Sequence, residues 1–277
     1  MPKVWFITGS SRGLGRAIAE TALSSGDRVV ATARRPEQLS DLVDQYGENV
    51  IPVALDVTDA AAAESAVATA VERFGRIDVV VNNAGYGDIA AIEDVTIEDF
   101  TAQINTLLMG TVYVTKAVLP TLREQGSGHI FQVSSVGGRI TLPGLAAYQA
   151  AKWGVGGFSG VLAQEIAPFG VKVTVLEPGG MRTDWAGSSM TIPPISEPYQ
   201  QTVGAIAGML RAGTGSEPND PAKIGALIQQ ILELPEPPVR LLVGSDAFQY
   251  ATAAAEALAE SDARWHELSE SVAFDEN

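Results

Sequence analysis

The chain predicts an α/β fold in which a doubly wound parallel sheet of about seven strands carries helices on both faces. Three observations lead there. Short β-branched runs alternate with stretches whose apolar residues recur at helical spacing, the pattern of strand–helix–strand units. The runs are apolar almost from end to end, as strands covered on both faces must be. The chain also starts on such a run, Val4-Trp5-Phe6-Ile7, followed by a glycine-rich turn and a segment with Leu14, Ala17, Ile18, Thr21 and Ala22 on one face. No linker divides the sequence, so residues 1–277 read as one domain, long enough to bury a sizeable core.

The first turn spaces its glycines, Gly9, Gly13 and Gly15, as G-x-x-x-G-x-G. Such a loop brings backbone N–H groups and a helix N-terminus toward a pyrophosphate, where the helix dipole contributes roughly 0.3–2 kcal/mol. The spacing departs from G-x-G-x-x-G and lacks the Gly-Lys-Ser/Thr ending of a triphosphate loop. By itself it fits a tight strand-to-helix corner equally well. Gly26 ends the helix, and Arg28 to Ala33 forms a second strand that runs into Arg34-Arg35-Pro36. In a βαβ nucleotide fold this strand end faces the adenosine ribose, where an acid favours NAD and an arginine accommodates the 2′-phosphate of NADP. Two arginines and no acid predict NADP over NAD, with Arg12 in the loop able to close on the same phosphate. A solvated arginine pair at a helix start is the alternative.

Glu37 to Tyr46 has helical spacing, Gly47 stops it, and Val50 to Leu55 gives the third strand, leading into Asp56-Val57. Asp56 either accepts the adenine amino group or serves the turn before the helix Ala60 to Phe74, where Thr58 and Asp59 are already placed to cap. Ile77 to Val81 is the fourth strand and ends in Asn82-Asn83-Ala84-Gly85. Ile97 to Gln125 reads as one long helix with Asn105 set among Ile104, Leu107 and Leu108, a satisfied core amide or a polar support for a site. Ile130 to Val133 is the fifth strand, followed by Ser134-Ser135 and the flexible Val136-Gly137-Gly138.

The next helix carries Tyr148-Gln149-Ala150-Ala151-Lys152, whose first and last residues share a face. A phenol near pKa 10 needs roughly 4 kcal/mol of preferential phenolate stabilisation to exchange protons at neutral pH, and a neighbouring lysinium has the right sign. A buried tyrosine beside a snorkelling lysine is the structural alternative. After the sixth strand, Val171 to Leu176, the helical and strand periodicities fade between residues 183 and 221. Gly, Pro and Ser gather there with Trp185, Met190, Ile192 and Tyr199, as in a mobile cover over a site. With Ile140, Leu142, Leu145 and Tyr86 nearby, that cover predicts an apolar pocket. Pro221 to Leu234 reads as a helix and Val239 to Val243 as the seventh strand; the tail, 246–277, reads as a closing helix that serves as a surface cover or a subunit contact.

Composition narrows the chemistry. Lys+Arg 18 against Asp+Glu 33 leaves a net charge of −15, which opposes binding to nucleic acid or acidic membrane surfaces. There are no cysteines and two histidines, so disulfides, thiolate nucleophiles and cysteine-based zinc sites are excluded, and no metal site is expected. No run approaches the ~20 apolar residues of a membrane span, and a soluble, cytoplasmic protein is expected.

Thr8-Gly9-Ser10-Ser11-Arg12-Gly13-Leu14-Gly15, Asn82-Asn83-Ala84-Gly85, Ser135 and Tyr148-Gln149-Ala150-Ala151-Lys152 stand in the order and spacing of one family. Across about residues 4 to 183 the chain resembles the short-chain dehydrogenases/reductases, with their Rossmann-type sheet. The resemblance implies an NADP-dependent oxidoreductase that interconverts a carbonyl and an alcohol on a small molecule; the apolar pocket fits a medium-sized or bulky ketone, aldehyde or secondary alcohol. Tyr148 would be the general acid/base, Ser135 would polarise the substrate oxygen, Lys152 would bind the nicotinamide ribose and lower the tyrosine pKa, and Asn105 would hold a proton-relay water. Thr8, Gly9, Ser11, Arg12, Gly13, Leu14 and Gly15 would line the pyrophosphate, with Arg34 and Arg35 at the 2′-phosphate and Asp56 and Val57 at the adenine. Asn83, Ala84 and Gly85 would line the inner ribose, and Pro178, Gly179, Met181 and Thr183 the nicotinamide amide. Homodimerisation through the helices of Asn105 and Tyr148 is the family habit. Gln149 replaces a frequent serine, and the tail runs past the usual end, more like members acting on steroids and retinoids. A non-catalytic NADP-binding sensor of the same fold is the alternative, against which the intact Ser135, Tyr148 and Lys152 set stands.

Overall fold

The computed structural model describes residues 2–185, 187 and 189–274. Strand and helix alternate as β1 (Val4–Ile7), α1 (Gly13–Ser24), β2 (Arg28–Ala33), α2 (Ser40–Tyr46), β3 (Val50–Ala54), α3 (Ala60–Phe74) and β4 (Val79–Asn82). The chain continues through α4 (Ile97–Ile104), α5 (Gly110–Gln125), β5 (Gly128–Val133), α6 (Ala146–Ile166), β6 (Val171–Pro178), α7 (Ala205–Gly213), α8 (Ala222–Leu232), β7 (Arg240–Val243), α9 (Ser245–Arg264) and α10 (His266–Glu270). The sheet has seven strands in the order β3-β2-β1-β4-β5-β6-β7, and every neighbouring pair is parallel. The strand order reverses between β1 and β4, the position at which open α/β sheets leave a crevice.

Alternation along each strand distributes its side chains to two cores. Trp5 and Ile7 turn toward α1 and α8, where they meet Ile18, Ile224 and Ile228. Phe6, Val30, Val80 and Ile130 turn the other way, against Ala66, Val114, Val118 and Leu162 of α3, α5 and α6. A third cluster, including Ile89, Leu107, Leu145, Tyr148, Met190 and Val203, lies beyond the strand ends. The fourth strand starts two residues later than its apolar run, because the Gln125 side chain takes the backbone of Ile77 (3.0 Å to N, 2.6 Å to O) in place of a neighbouring strand.

Three regions depart from the sequence expectations. The helix over residues 97–125 is continuous but passes through a π-helical turn at Asn105–Met109. The segment 183–221 is not irregular throughout: a π-helical turn at Gln200–Gly204 leads into α7, which buries Ala207 and packs Leu210 on the third cluster. The tail is helical, yet it covers the body only near Ala247 and Ala251, and every described residue from Ala255 to Phe274 is exposed. Among the described residues no helix is long and apolar enough to cross a membrane.

His129, on β5, is buried and stacks on Phe131 at 4.1 Å. Thr174 Oγ1 donates to Pro238 O (2.8 Å), so the 2.9 Å contact with His129 Nε2 has the imidazole as donor, in its neutral form. Burial, aided by Lys172, pushes the His129 pKa down to about 4. Between the ordinary histidine value and about 4 the unfolded chain binds a proton that the native chain refuses, so stability is complete above that window and falls as pH drops through it. Urea titrations should show that His129→Gln loses about 2 kcal/mol less stability than the parent between about pH 8 and about pH 5.

Candidate active site

Every β-strand points its C-terminal end to one rim, and the site is built there. Gly9 (φ 69°) and Gly13 (φ 58°) adopt left-handed backbone after β1. A Cβ on Gly15 would lie 2.3 Å from Gly9 O and 2.4 Å from Asn83 Nδ2, so this glycine lets α1 start against the loop. Thr8 Oγ1 accepts from the N–H groups of Asn83 (2.9 Å) and Ala84 (3.0 Å), while Asn83 Nδ2 donates to Thr8 O and Gly9 O at 3.0 and 3.2 Å. Asn83 thus clamps the glycine loop to the end of β4, and its amide nitrogen serves the loop itself. Among the described residues no side chain caps α1, whose first N–H groups at Gly13, Leu14 and Gly15 remain for an anion. A loop opened by two left-handed glycines, a glycine that a Cβ would block and an uncapped helix start fit a dinucleotide pyrophosphate.

Around this cradle, Arg12 reaches Asp184 (3.5 Å), and Ser11 and Leu14 flank the loop. Arg34 and Arg35 are exposed beyond β2 and form no ion pair among the described residues. Asp56 takes up the turn role: its Oδ1 accepts from Thr58 N (3.0 Å) and Thr58 Oγ1 (2.7 Å), while Asp59 caps α3 through Ala61 and Ala62. The Thr58 hydrogen bonds hold the Asp56 carboxyl below its usual range, with Arg34 acting in the same direction. Val57 is buried against Gly110.

Ser135 stands at the end of β5, and its Oγ accepts from Gly137 N at 3.0 Å. A Cβ on Gly137 would be 3.3 Å from Tyr148 Cε1 and 3.4 Å from Ser135 Oγ, so the turn after β5 lies directly against the phenol. Lys152, one turn along α6, places Nζ 5.6 Å from the Tyr148 ring centroid and donates to Val133 O at 2.7 Å. Both side chains are buried. Burial pushes the Tyr148 pKa up to about 12, against a lowering hydrogen bond with Ser135, and pushes Lys152 down to about 8. The group therefore presents a neutral phenol, a hydroxyl and an ammonium at one place, an arrangement able to donate a proton to an oxygen and to stabilise charge on it.

A family model described as short chain dehydrogenase matches residues 3–191, a stretch that contains the glycine loop, Ser135, Tyr148 and Lys152. The chain belongs to the short-chain dehydrogenases. The oxidoreductase BOA17 of Botryotinia fuckeliana is 64% identical over 270 residues, covering 97% of this chain and 98% of that one. A short-chain dehydrogenase from Streptomyces avermitilis superposes with a TM-score of 0.93 at 37% identity, over 99% of this chain and 100% of that one. An alcohol dehydrogenase from Thermococcus sibiricus, solved with 5-hydroxy-NADP, gives 0.72 at 28% identity, over 88% and 96%. Other solved relatives are complexed with NADP or with NADH.

Within this short-chain dehydrogenase, one expected residue is not brought to the group. Asn105 is exposed, whereas Leu107 is buried in the cluster of Tyr148 and fills the space beside Gly85, where a Cβ would lie 2.6 Å from Leu107 Cδ2. Ile104, Leu107 and Leu108 form an i, i+3, i+4 face, and a residue two positions before Leu107 points away from it. Asn105 is therefore neither a core amide nor a support for Tyr148.

Three contributors carried no signal that the sequence reading used. Asp246 Oδ2 accepts from Gly180 N (2.7 Å), and Asn219 Nδ2 donates to Gly180 O and Asp246 Oδ1, both at 2.8 Å. This pair fixes the Pro178–Thr183 loop, in which a Cβ on Gly179 would strike the Asp246 carboxylate and Met181 bridges to Asn219. Asp246 was findable, since it follows a strand at the same rim. Glu177, fully buried on β6, pairs with Arg139 (2.5 Å) and Arg240, and so ties the turn after Ser135 to β6 and β7. Removing one member of such a buried set leaves the other charges uncompensated. Glu177→Gln should lower the unfolding free energy by about 3 kcal/mol in urea titration, and an unmoved midpoint would contradict the bracing role.

Proposed function

We propose that this protein is an NADP(H)-dependent oxidoreductase that interconverts a carbonyl and an alcohol on an apolar substrate, with Tyr148 as the general acid/base. The observation that carries the reading is the convergence of Ser135, Tyr148 and Lys152 beneath an apolar cluster, at the rim where the glycine loop also opens. When bound, the nicotinamide supplies or accepts the hydride. The chain's own residues manage position and the proton. The uncapped start of α1 and Arg12 hold the pyrophosphate, Arg34 and Arg35 the 2′-phosphate, and Val57, with the Asp56 carboxylate oxygen that Thr58 does not use, the adenine. Ala84 and Gly85 line the inner ribose, and the loop of Pro178, Gly179, Met181 and Thr183, braced by Asp246 and Asn219, holds the amide end.

Ser135 Oγ and the Tyr148 hydroxyl address the same substrate oxygen. The phenol is protonated at physiological pH, the form that donates to a carbonyl oxygen. The Lys152 ammonium carries the sign of charge that favours the phenolate needed for the reverse step, and it binds the ribose hydroxyls. The surroundings of Tyr148, with Leu107, Leu145, Met190 and Val203, favour an apolar substrate body.

Tyr148→Phe should retain NADPH affinity in fluorescence titration and lose about 10²–10⁴-fold in kcat against a ketone panel; near-parental turnover would overturn the assignment. Arg34→Glu should weaken NADPH binding by about tenfold or more while changing NADH little, and equal weakening of the two would remove the 2′-phosphate role.

A further inference from the structure

Gly87 and Trp185 make a contact that the proton chemistry does not require. A Cβ on Gly87 would lie 2.4 Å from Cζ2 and 2.8 Å from Cε2 of the Trp185 indole. Gly87 has no left-handed φ, so its backbone would accept a side chain, and the absence of one serves the indole seated on it. The same indole lies against Tyr148, with ring centroids 5.2 Å apart and planes tilted by 56°.

The segment that carries the indole is held by its neighbours. Trp185 N donates to Thr183 Oγ1 (3.3 Å), Asp184 meets Arg12 of the glycine loop, and Ser189 Oγ donates to Asp184 Oδ2 at 2.9 Å. Farther along, Arg211 of α7 donates to Met190 O at 2.7 Å. Leu142, Leu145, Met190 and Val203 belong to the same apolar cluster as the two rings. The phenol thus has aliphatic walls and an aromatic plate over it.

We propose that Trp185, seated in the notch left by Gly87, sets the width of substrate that reaches Tyr148. Slender carbonyl compounds, unbranched or single-ring, bring their oxygen to the phenol beside the indole. Fused-ring ketones must first displace it and forfeit its buried contacts. The inference rests on the reading of Tyr148 as the group that meets the carbonyl.

Two ten-carbon ketones, 2-decanone and 2-decalone, are alike in apolar content and differ in width. Their affinities are to be measured by saturation-transfer NMR on the full-length Tyr148→Phe protein with NADP⁺ present, a background that keeps an aromatic ring under the indole. Trp185→Ala removes the plate; Gly87→Ala evicts it while leaving it in the chain. Each should shift the affinity ratio toward 2-decalone by about tenfold or more, and the double variant should shift it no further than Trp185→Ala alone. An unchanged ratio in Trp185→Ala, or equal weakening of both ketones, overturns the proposal, and that variant decides the matter even if Gly87→Ala does not fold. Failure of the general-acid reading shows elsewhere, as turnover retained by Tyr148→Phe, and does not enter these ratios.

Discussion

Seven strands running in one direction leave all their C-terminal ends on one rim, and the rest of the molecule follows from that constraint. Each end opens backbone groups that the next helix cannot satisfy, so polar and small residues collect there: Thr8 and Gly9 after β1, Asn83 to Gly85 after β4, Ser135 after β5 and Gly179 after β6. Residues far apart in sequence then meet without any long-range design beyond strand order. The reversal of order between β1 and β4 places the Thr8 and Asn83 hydrogen bonds at the centre of the rim, where they hold the glycine loop against the sheet.

Burial at this rim acts in opposite directions on the two ionisable partners of α6. It raises the phenol and lowers the ammonium, drawing both toward their neutral forms. The structure satisfies the lysine by a short bond to Val133 O and leaves the tyrosine against Ser135 and the turn at Gly137. Elsewhere the chain tolerates a fully buried carboxylate, Glu177, because two guanidinium groups surround it. That arrangement binds three neighbouring segments, the turn after Ser135, β6 and β7, into one support.

The cover and the cradle are also joined. Arg12 belongs to the glycine loop and Asp184 to the segment after β6, and their contact links the start of α1 to the residues that carry Trp185. At the far end of the chain, Asp246 stands in the first turn of α9 and anchors Gly180, so the C-terminal element contributes to the site although the described residues from Ala255 onward are exposed. The described residues beyond Ala254 therefore add little to the stability of the body.

Sheet, helices, glycine loop and the adjacency of Tyr148 and Lys152 were legible because each depends on short-range periodicity: two along a strand, 3.6 along a helix, and one helical turn between two side chains on one face. Charge and the absence of cysteine likewise follow from composition alone. Asn105 lies off the buried face of its helix, since the stripe of Ile104, Leu107 and Leu108 leaves it in solvent. The helix near residue 205 was hidden because its short apolar face emerges only when packed on a cluster assembled from distant segments. Local sequence was enough to specify the parallel framework and to put Tyr148 and Lys152 on one helix face, because backbone preference and side-chain spacing are properties of neighbouring residues. Tertiary structure alone decided that Asn219 and Asp246 brace one loop, that Glu177 draws in two arginines and that Trp185 rests on Gly87 above Tyr148, because those contacts arise only where strand order brings remote segments to the same place.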